Sequence, residues 1–582
     1  MFLATTALDE TWPAGGPVLF LGEWCKLYAS RSRWSALDYV VCPYHWDDRE
    51  ALWRDYHAIV SCYEKYLAAL SLELNRLHGT NHSPRYWRIL IGPWLSYFIG
   101  ILFDRFASLK RAATEFNISG TYVLAELGGE APTDFFEFAR DCVTDIWNHY
   151  LYGEIIKLTA LIPYTEVSRS DRTDAPGAGS IADRMVRGAK YLVRVAEYYG
   201  RARRVAAIEP VFFCDTYFSA EQIRSLKSSL GQSGGEFPPG ILSISAQIKS
   251  NMRESLKMAV SSNEFERVLE SLLAKQIPRV YVEGYSRARS LAKTIFPKRV
   301  KRVLTANAYA ANELFKVWVA EQLESGAALD VVQHGGNIGA AKWEQLEEHQ
   351  LSICDRFYSW GWTDKSTKVR VASAPKLIGL KDAITGKKSG DVLLVVGSIP
   401  RYSYRMFSAP ISSQYLAYLD DLLAFMAALN PEVINKTKAL HYPDNYGWGV
   451  AERFRDAGFD GKVEVCRNFR ERLVDASACI STFNTTTFLE TLVANIPTLV
   501  FWRPEMWELR EAAVPYYTRL REVGILHDAP ESAAAHLNKW HGRLESWWAS
   551  QDVQVAREEF CRRFAYCDSA WLKEWSATLS GD

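Results

Sequence analysis

Asp391-Val392-Leu393-Leu394-Val395-Val396-Gly397-Ser398 is an unbroken apolar run that begins at a charge and stops at a Gly-Ser pair. A strand with one face in water alternates apolar and polar residues. One that is apolar at every position is covered on both faces, the state of a parallel strand between helical layers. Similar short runs fall at 17–22, 37–42, 280–283, 303–305, 329–333, 433–436, 463–466, 478–481 and 497–501. A helical pattern over 310–323 sits between two of them, so the spacing predicts βαβ units and an α/β fold. Residues 375–389, rich in Lys and Gly, read as a linker between two such series.

Between the second and third runs the period changes. Residues 48–203 carry aromatics and Leu at three- and four-residue spacing, as in Trp53, Tyr56, Val60 and Tyr63. This predicts a large helical insertion within a Rossmann-like N-terminal domain, 1–385. Residues 165–180, rich in Gly, Asp and Ser, read as a loop. A second Rossmann-like domain is expected over 386–545, and a C-terminal helix within 546–582, its amphipathic pattern running over 553–579.

Composition removes several function classes. Lys+Arg and Asp+Glu are both 68, so the basic excess of a nucleic-acid binder is missing. The cluster Lys298-Arg299-Val300-Lys301-Arg302 has two readings, a solvated loop before a strand and a patch for anionic lipid. The 10 cysteines show no CxxC and no His-paired spacing, which argues against a zinc site or disulfide framework and for buried thiols in a reducing cytosol. Residues 89–103 are apolar but hold Pro93 and, at about 15 residues, fall short of the roughly 20 that span a bilayer, so they read as a buried helix. The N-terminus lacks the pattern of a signal peptide, and a cytoplasmic protein is expected. The 20 Trp and 13% aromatic content fit large cores, and also a site where sugar faces pack on rings.

Three stretches carry chemistry. Ser481-Thr482-Phe483-Asn484-Thr485-Thr486-Thr487-Phe488-Leu489-Glu490 takes a strand through a hydroxyl-rich turn into a helix. A helix N-terminus offers free N–H groups and partial positive charge, so Ser481, Asn484, Thr485, Thr486 and Thr487 are expected to hold a phosphate. Glu490, one turn on, is placed to accept the hydroxyls of a ribose. Lys438, in Lys436-Thr437-Lys438-Ala439-Leu440-His441, is expected at a strand's carboxyl end, where its charge faces phosphate. Gln333-His334-Gly335-Gly336-Asn337 delivers a His into a turn whose glycines let backbone approach a ligand. His334 is then a phosphate donor or a general acid/base. Glu283 and Asn307 are expected at the same edge, Glu283 as a base or a carboxylate nucleophile.

Absent motifs narrow the chemistry further. No DxD-type pair lies at a suitable strand end, and no GxxxxGK[ST], GxGxxG or GxSxG occurs. No metal or other cofactor is therefore expected.

The motifs Phe2-Leu3-Ala4-Thr5-Thr6-Ala7-Leu8, Phe20-Leu21-Gly22-Glu23-Trp24-Cys25, Gln333-His334-Gly335-Gly336, Trp360-Gly361-Trp362, the 484–490 segment and Phe501-Trp502-Arg503-Pro504-Glu505 run from end to end of the chain. In them the sequence resembles a family of transferases encoded with O-antigen and other surface-polysaccharide genes. That family is distantly similar to GT-B enzymes that take Kdo or sialic-acid-like sugars from CMP donors. The resemblance implies a GT-B-like fold and, by analogy with retaining Kdo transferases, a carboxylate nucleophile in the N-terminal domain. Glu283 is the first choice for it, with Asp330 and Glu313 as alternatives.

The expected function is a metal-independent glycosyltransferase of bacterial surface-polysaccharide synthesis. It would take a nucleotide sugar and a glycan or lipid-linked glycan acceptor, at the cytoplasmic face of the inner membrane. Two alternatives stand beside it: a sugar-nucleotide 2-epimerase on the same fold, and a non-catalytic glycan-binding assembly protein.

Overall fold

The computed structural model describes residues 1–125, 127, 129–168, 208–237, 243–384 and 390–581. Among these residues sixteen strands form three sheets, and every strand pair is parallel. The first sheet has β1 (Phe2–Ala4), β2 (Val18–Phe20), β3 (Tyr39–Val41), β4 (Gly120–Leu124) and β5 (Tyr164–Val167) in the order β3-β2-β1-β4-β5. The second has β6 (Ile208–Phe213), β7 (Arg299–Thr305), β8 (Ala328–Val332), β9 (Arg356–Ser359) and β10 (Val369–Val371) in sequential order. The third has β11 (Asp391–Val395), β12 (Thr437–His441), β13 (Val463–Val465), β14 (Ala476–Ser481), β15 (Thr498–Phe501) and β16 (Leu526–His527), ordered β13-β12-β11-β14-β15-β16.

The expected α/β class and the run of parallel strands are present. The N-terminal 385 residues, read as one Rossmann-like unit, hold two sheets instead. β1 is the reason: a three-residue strand at 2–4 pairs with both β2 and β4, so it is the centre of a separate sheet built from residues 2–167. The predicted helical insertion is largely the crossover from β3 to β4. Helix Arg49–His78 starts where the Asp48 carboxylate accepts from the Glu50 and Ala51 N–H groups, and ends at left-handed Gly79. Helix Pro84–Glu115 follows, capped by the Ser83 hydroxyl, with Pro at its first turn. It contains the 89–103 run. It is also long and apolar enough to cross a membrane, yet 89% of its most apolar window is buried inside the fold, as the core reading expects. Residues 165–167 of the expected loop belong to strand β5, and the loop and the insertion beyond 168 lie outside the described residues.

Two expected strands are not strands. Residues 279–281 form a turn of 3-10 helix, and 431–436 a short helix begun by Pro431, so the following strand starts at Thr437. A short apolar run does not by itself separate a strand from a buried turn. The single C-terminal helix is two, Gln551–Phe564 and Trp571–Ser580. The first packs under helices Thr486–Val493 and Val514–Glu522 of the third-sheet unit. The second returns to the second sheet, where Trp575, fully buried, and Leu579 join Val211, Phe213, Leu304, Val332 and Tyr358 in one apolar cluster. All ten cysteines are free, eight of them buried.

Candidate functional site

In an open α/β sheet a ligand crevice lies outside the strand carboxyl ends, where the strand order reverses. The sequential second sheet has no reversal. The first reverses between β1 and β4, and the third between β11 and β14.

The first sheet's crevice is filled from within. Arg401 and Tyr402, on the loop leaving β11, reach across to the Asp145 carboxylate, with the Tyr402 hydroxyl at 2.5 Å. Asp145 also accepts the Ala7 N–H at 3.1 Å, and Arg401 donates to the Trp24 carbonyl. These contacts absorb both N-terminal motifs of the sequence as structural joints.

The third sheet's crevice keeps its polar groups available. After β14, the Thr482 hydroxyl donates to the Val395 carbonyl at 2.7 Å, and Tyr517 donates to Asn484 Oδ1 at 2.8 Å. Ser481 Oγ leans on the Phe483 carbonyl at 3.4 Å. Ser481 and Asn484, both buried and expected as ligand contacts, thus shape the turn. Thr485, in extended conformation, precedes helix Thr486–Val493 and does not cap it with its side chain. The half-buried hydroxyls of Thr485, Thr486 and Thr487 make no hydrogen bond among the described residues.

Directly against this helix start lies the glycine turn that follows β8. A Cβ on Gly336 would fall 2.6 Å from the Thr485 carbonyl carbon and the Thr486 nitrogen. Only glycine lets the two backbones meet this closely. The predicted His-Gly-Gly and threonine signals, about 150 residues apart in the chain, therefore lie side by side. Gln333 is buried and holds the turn: its Nε2 donates to the Gly335 carbonyl at 2.7 Å, and its Oε1 accepts from Trp360 N at 2.9 Å and Trp362 Nε1 at 2.8 Å. Gly361 in turn, at φ 116°, lies against backbone carbonyls of the helix ending at Phe564. The Trp-Gly-Trp motif thus ties the glycine turn to the C-terminal helices.

His334 is half-buried, with Nδ1 3.3 Å from the Gln350 amide, which also meets the Tyr309 hydroxyl. Burial, then the nearby Arg405 and Lys376 charges, push its pKa down to about 3. The ring is therefore neutral at physiological pH. It can exchange hydrogen bonds with a ligand but is a weak base. Asn307 lies just past β7 on the same edge, at the start of a four-residue helix.

Positive charge enters from residues the sequence reading passed over. Lys376 lies close enough to feel the Glu490 carboxylate, and burial lowers its pKa. Arg405 lies near enough for its charge to lower the His334 pKa; its Nη2 pairs with Glu344 at 3.8 Å and its plane lies 4.3 Å over Phe407. Glu490 is buried at 6% exposure, and its Oε1 accepts from Arg470 Nε at 3.0 Å and Nη2 at 2.6 Å. Arg470 also donates to the Lys376 carbonyl, so it staples the linker to the helix that begins at Thr486.

Four carboxylate and lysine expectations are corrected. Glu283 is not at a strand end. It sits before helix Tyr285–Ile295 and is held by Arg253 at 2.7 and 2.9 Å and by the Lys249 N–H. Lys438 is the second residue of β12, at the end away from the crevice, because the strand begins later than read. Asp330 is fully buried beside Tyr358 and Arg302, with its pKa pushed up to about 6 by burial, on the sheet face covered by the last helix. Glu313 is buried against Lys316 at 2.9 Å and Tyr281 at 2.9 Å, away from the glycine turn. In its place the second sheet presents Asp215, past the end of β6, which no strand signal in the sequence reading located. The apolar run Val211-Phe212-Phe213-Cys214 ahead of it was the available signal. A cavity of about 670 Å³ opens between 377–382 and the C-terminal helices, and none of the expected site residues line it.

Two α/β units meeting at their strand carboxyl ends over a helix start rich in free donors, and braced by a C-terminal helix that returns to the preceding sheet, are the frame of a GT-B-type transferase. The chain belongs to the LIC12162 transferase family, whose profile matches residues 1–579. Among proteins of curated function no similar sequence is found. Similar solved structures include S. aureus MnaA with UDP (11% identity, 63% of this chain and 94% of that one, TM-score 0.34). They also include WaaG, a glycosyltransferase involved in lipopolysaccharide biosynthesis (11%, 64% and 100%, TM-score 0.28). A third is a variant of the wall teichoic acid polymerase TagF (10%, 69% and 98%, TM-score 0.30). Likeness at this level speaks to no substrate.

Proposed function

We propose that the protein is a glycosyltransferase that binds a nucleotide sugar between its second and third sheets and builds a cell-surface polysaccharide. One observation carries the reading. Glycine backbone at Gly336 meets the helix start at Thr485 from across the crevice, and the three threonine hydroxyls beside it, without a hydrogen bond among the described residues, are available to a ligand. The helix dipole, free first-turn N–H groups and these hydroxyls suit a phosphate. Lys376 and Arg405 add charge that stabilises a departing nucleotide, so no metal is required by this reading. Glu490 Oε2, outside the Arg470 pair, takes the ribose hydroxyls. Neutral His334 orients the sugar or its phosphate. The family resemblance favours a CMP donor with a Kdo- or nonulosonic-acid-like sugar, and a glycan or lipid-linked acceptor met at the cytoplasmic membrane surface.

Thermal melts with CMP, UDP, GDP and their sugars, without Mg²⁺, test this. Binding at a hundredfold excess over Kd adds about 2.7 kcal/mol of stability. The expected result is a rise in Tm with a CMP species that shrinks in Glu490→Gln. A well-folded sample that responds to no nucleotide contradicts the donor site.

A further inference from the structure

The transfer just proposed needs a group that takes a proton from the acceptor hydroxyl, and His334, held neutral, serves poorly. The second sheet offers three adjacent strand ends. His334 lies past β8, Asn307 past β7 and Asp215 past β6, the Ala306 N–H donating to the Asp215 carbonyl at 2.8 Å.

The turn after β6 is built with unusual backbone. Asp215 and Tyr217 both adopt left-handed conformations, at φ 52° and 67°. Such angles cost free energy in residues other than glycine, an aromatic above all, and persist where surrounding contacts impose them. Here the contacts are present. Thr216, fully buried between the two, donates through N and Oγ1 to Glu236 at 2.6 Å each, and Cys214 N donates to the Leu304 carbonyl at 3.1 Å. The paired left-handed residues re-aim side chains that a continuing strand would send elsewhere.

What they aim is a half-buried carboxylate that makes no hydrogen bond or ion pair among the described residues. The carboxylates expected from the sequence are occupied, Glu283 by Arg253, Glu313 by Lys316 and Asp330 by Tyr358, and the neighbouring Glu236 is held by Thr216. Around Asp215 the residues lead to the proposed donor site. The Tyr217 ring lies under Lys376 Nζ at 5.3 Å, and Lys376 reaches the field of both Glu490 and His334. Tyr309, whose hydroxyl meets Gln350 and through it His334, also feels the Asp215 charge.

We infer that Asp215 is the catalytic base of the transfer, a role resting on the nucleotide-sugar reading above. The acceptor oxygen forms its bond to the anomeric carbon as that carbon's bond to the nucleotide phosphate breaks, the electron pair leaving with the phosphate. The hydroxyl proton passes to the Asp215 carboxylate. Burial raises the pKa of Asp215 from its ordinary value, in the direction that makes it a better proton acceptor.

The test compares the wild type with Asp215→Asn, since Asn adopts left-handed backbone as readily as Asp. Each is incubated with CMP-N-acetylneuraminate, and with UDP- and GDP-sugars, and released nucleotide is counted, water serving as a slow acceptor. Tm with and without CMP is read on the same samples. The expected result is a fall in release of about 100-fold or more, with the CMP-induced shift intact, and partial recovery in Asp215→Glu. Equal release by the two proteins, zero included, overturns the inference, as does a variant that loses folding and CMP response together. A wild type that no nucleotide stabilises overturns the donor-site reading itself, so the two failures are distinct.

Discussion

Two glutamates separate chemistry from architecture at the residue scale. Glu283 reads in the sequence like a carboxylate at a strand end. Its side chain is 1% exposed and that of Arg253 is 8%, and the pair is bidentate with a further backbone donor. Removing one partner of a buried pair strands the other charge, at a cost of about 3–5 kcal/mol. Glu283→Ala is therefore expected to lower Tm sharply in a thermal melt while the folded fraction keeps its nucleotide response. An unchanged Tm with the response abolished would return Glu283 to the site. Glu490 is the counterpart. It too is paired with an arginine, but through one oxygen, on the first turns of the helix that faces the crevice.

At the scale of elements, the decisive contact is a turn against a helix start. The atoms that a Cβ on Gly336 would meet at 2.6–2.7 Å are all backbone of Thr485 and Thr486, so no rotamer change relieves them. Gly336→Ala forces the second and third units apart locally, an overpacking worth about 1–3 kcal/mol. The expected outcome is a Kd for nucleotide raised at least tenfold by titration calorimetry, with the far-ultraviolet spectrum unchanged. An unaltered Kd would place the ligand elsewhere. Both halves of this contact were legible in the sequence, because a strand ending in His-Gly-Gly and a strand ending in a threonine turn each announce a bend that exposes backbone. Their meeting was not, since nothing local encodes a contact between residues 336 and 485. Lys438 was misplaced by one element boundary: Pro431 starts a helix where a strand was expected, which moves the lysine to the far end of β12. Asp215 was invisible because left-handed backbone at Asp and Tyr, unlike at glycine, is imposed by tertiary contacts such as that of Thr216 with Glu236.

Among the described residues, the whole molecule treats its two reversal points differently. The loop leaving β11 crosses to the first sheet and closes that crevice with Arg401 and Tyr402 on Asp145. The first sheet thereby becomes a support for the third, and helix Pro84–Glu115, largely buried, packs against helices Arg49–His78, Glu313–Glu324 and Gln345–Ile353. The helix Trp571–Ser580 crosses back to the second sheet and seals its outer face around Trp575. What remains is the gap between β8 and β14, with free threonines on one wall and Asn307, His334 and Asp215 on the other. Amide hydrogen exchange on the intact chain, with and without saturating CMP, tests this most directly. Binding at the proposed place slows exchange at 485–488 and 334–336 and leaves 5–8 and 401–403 as they were. Slowing confined to the first sheet's crevice, with 485–488 unaffected while CMP is bound, would contradict it.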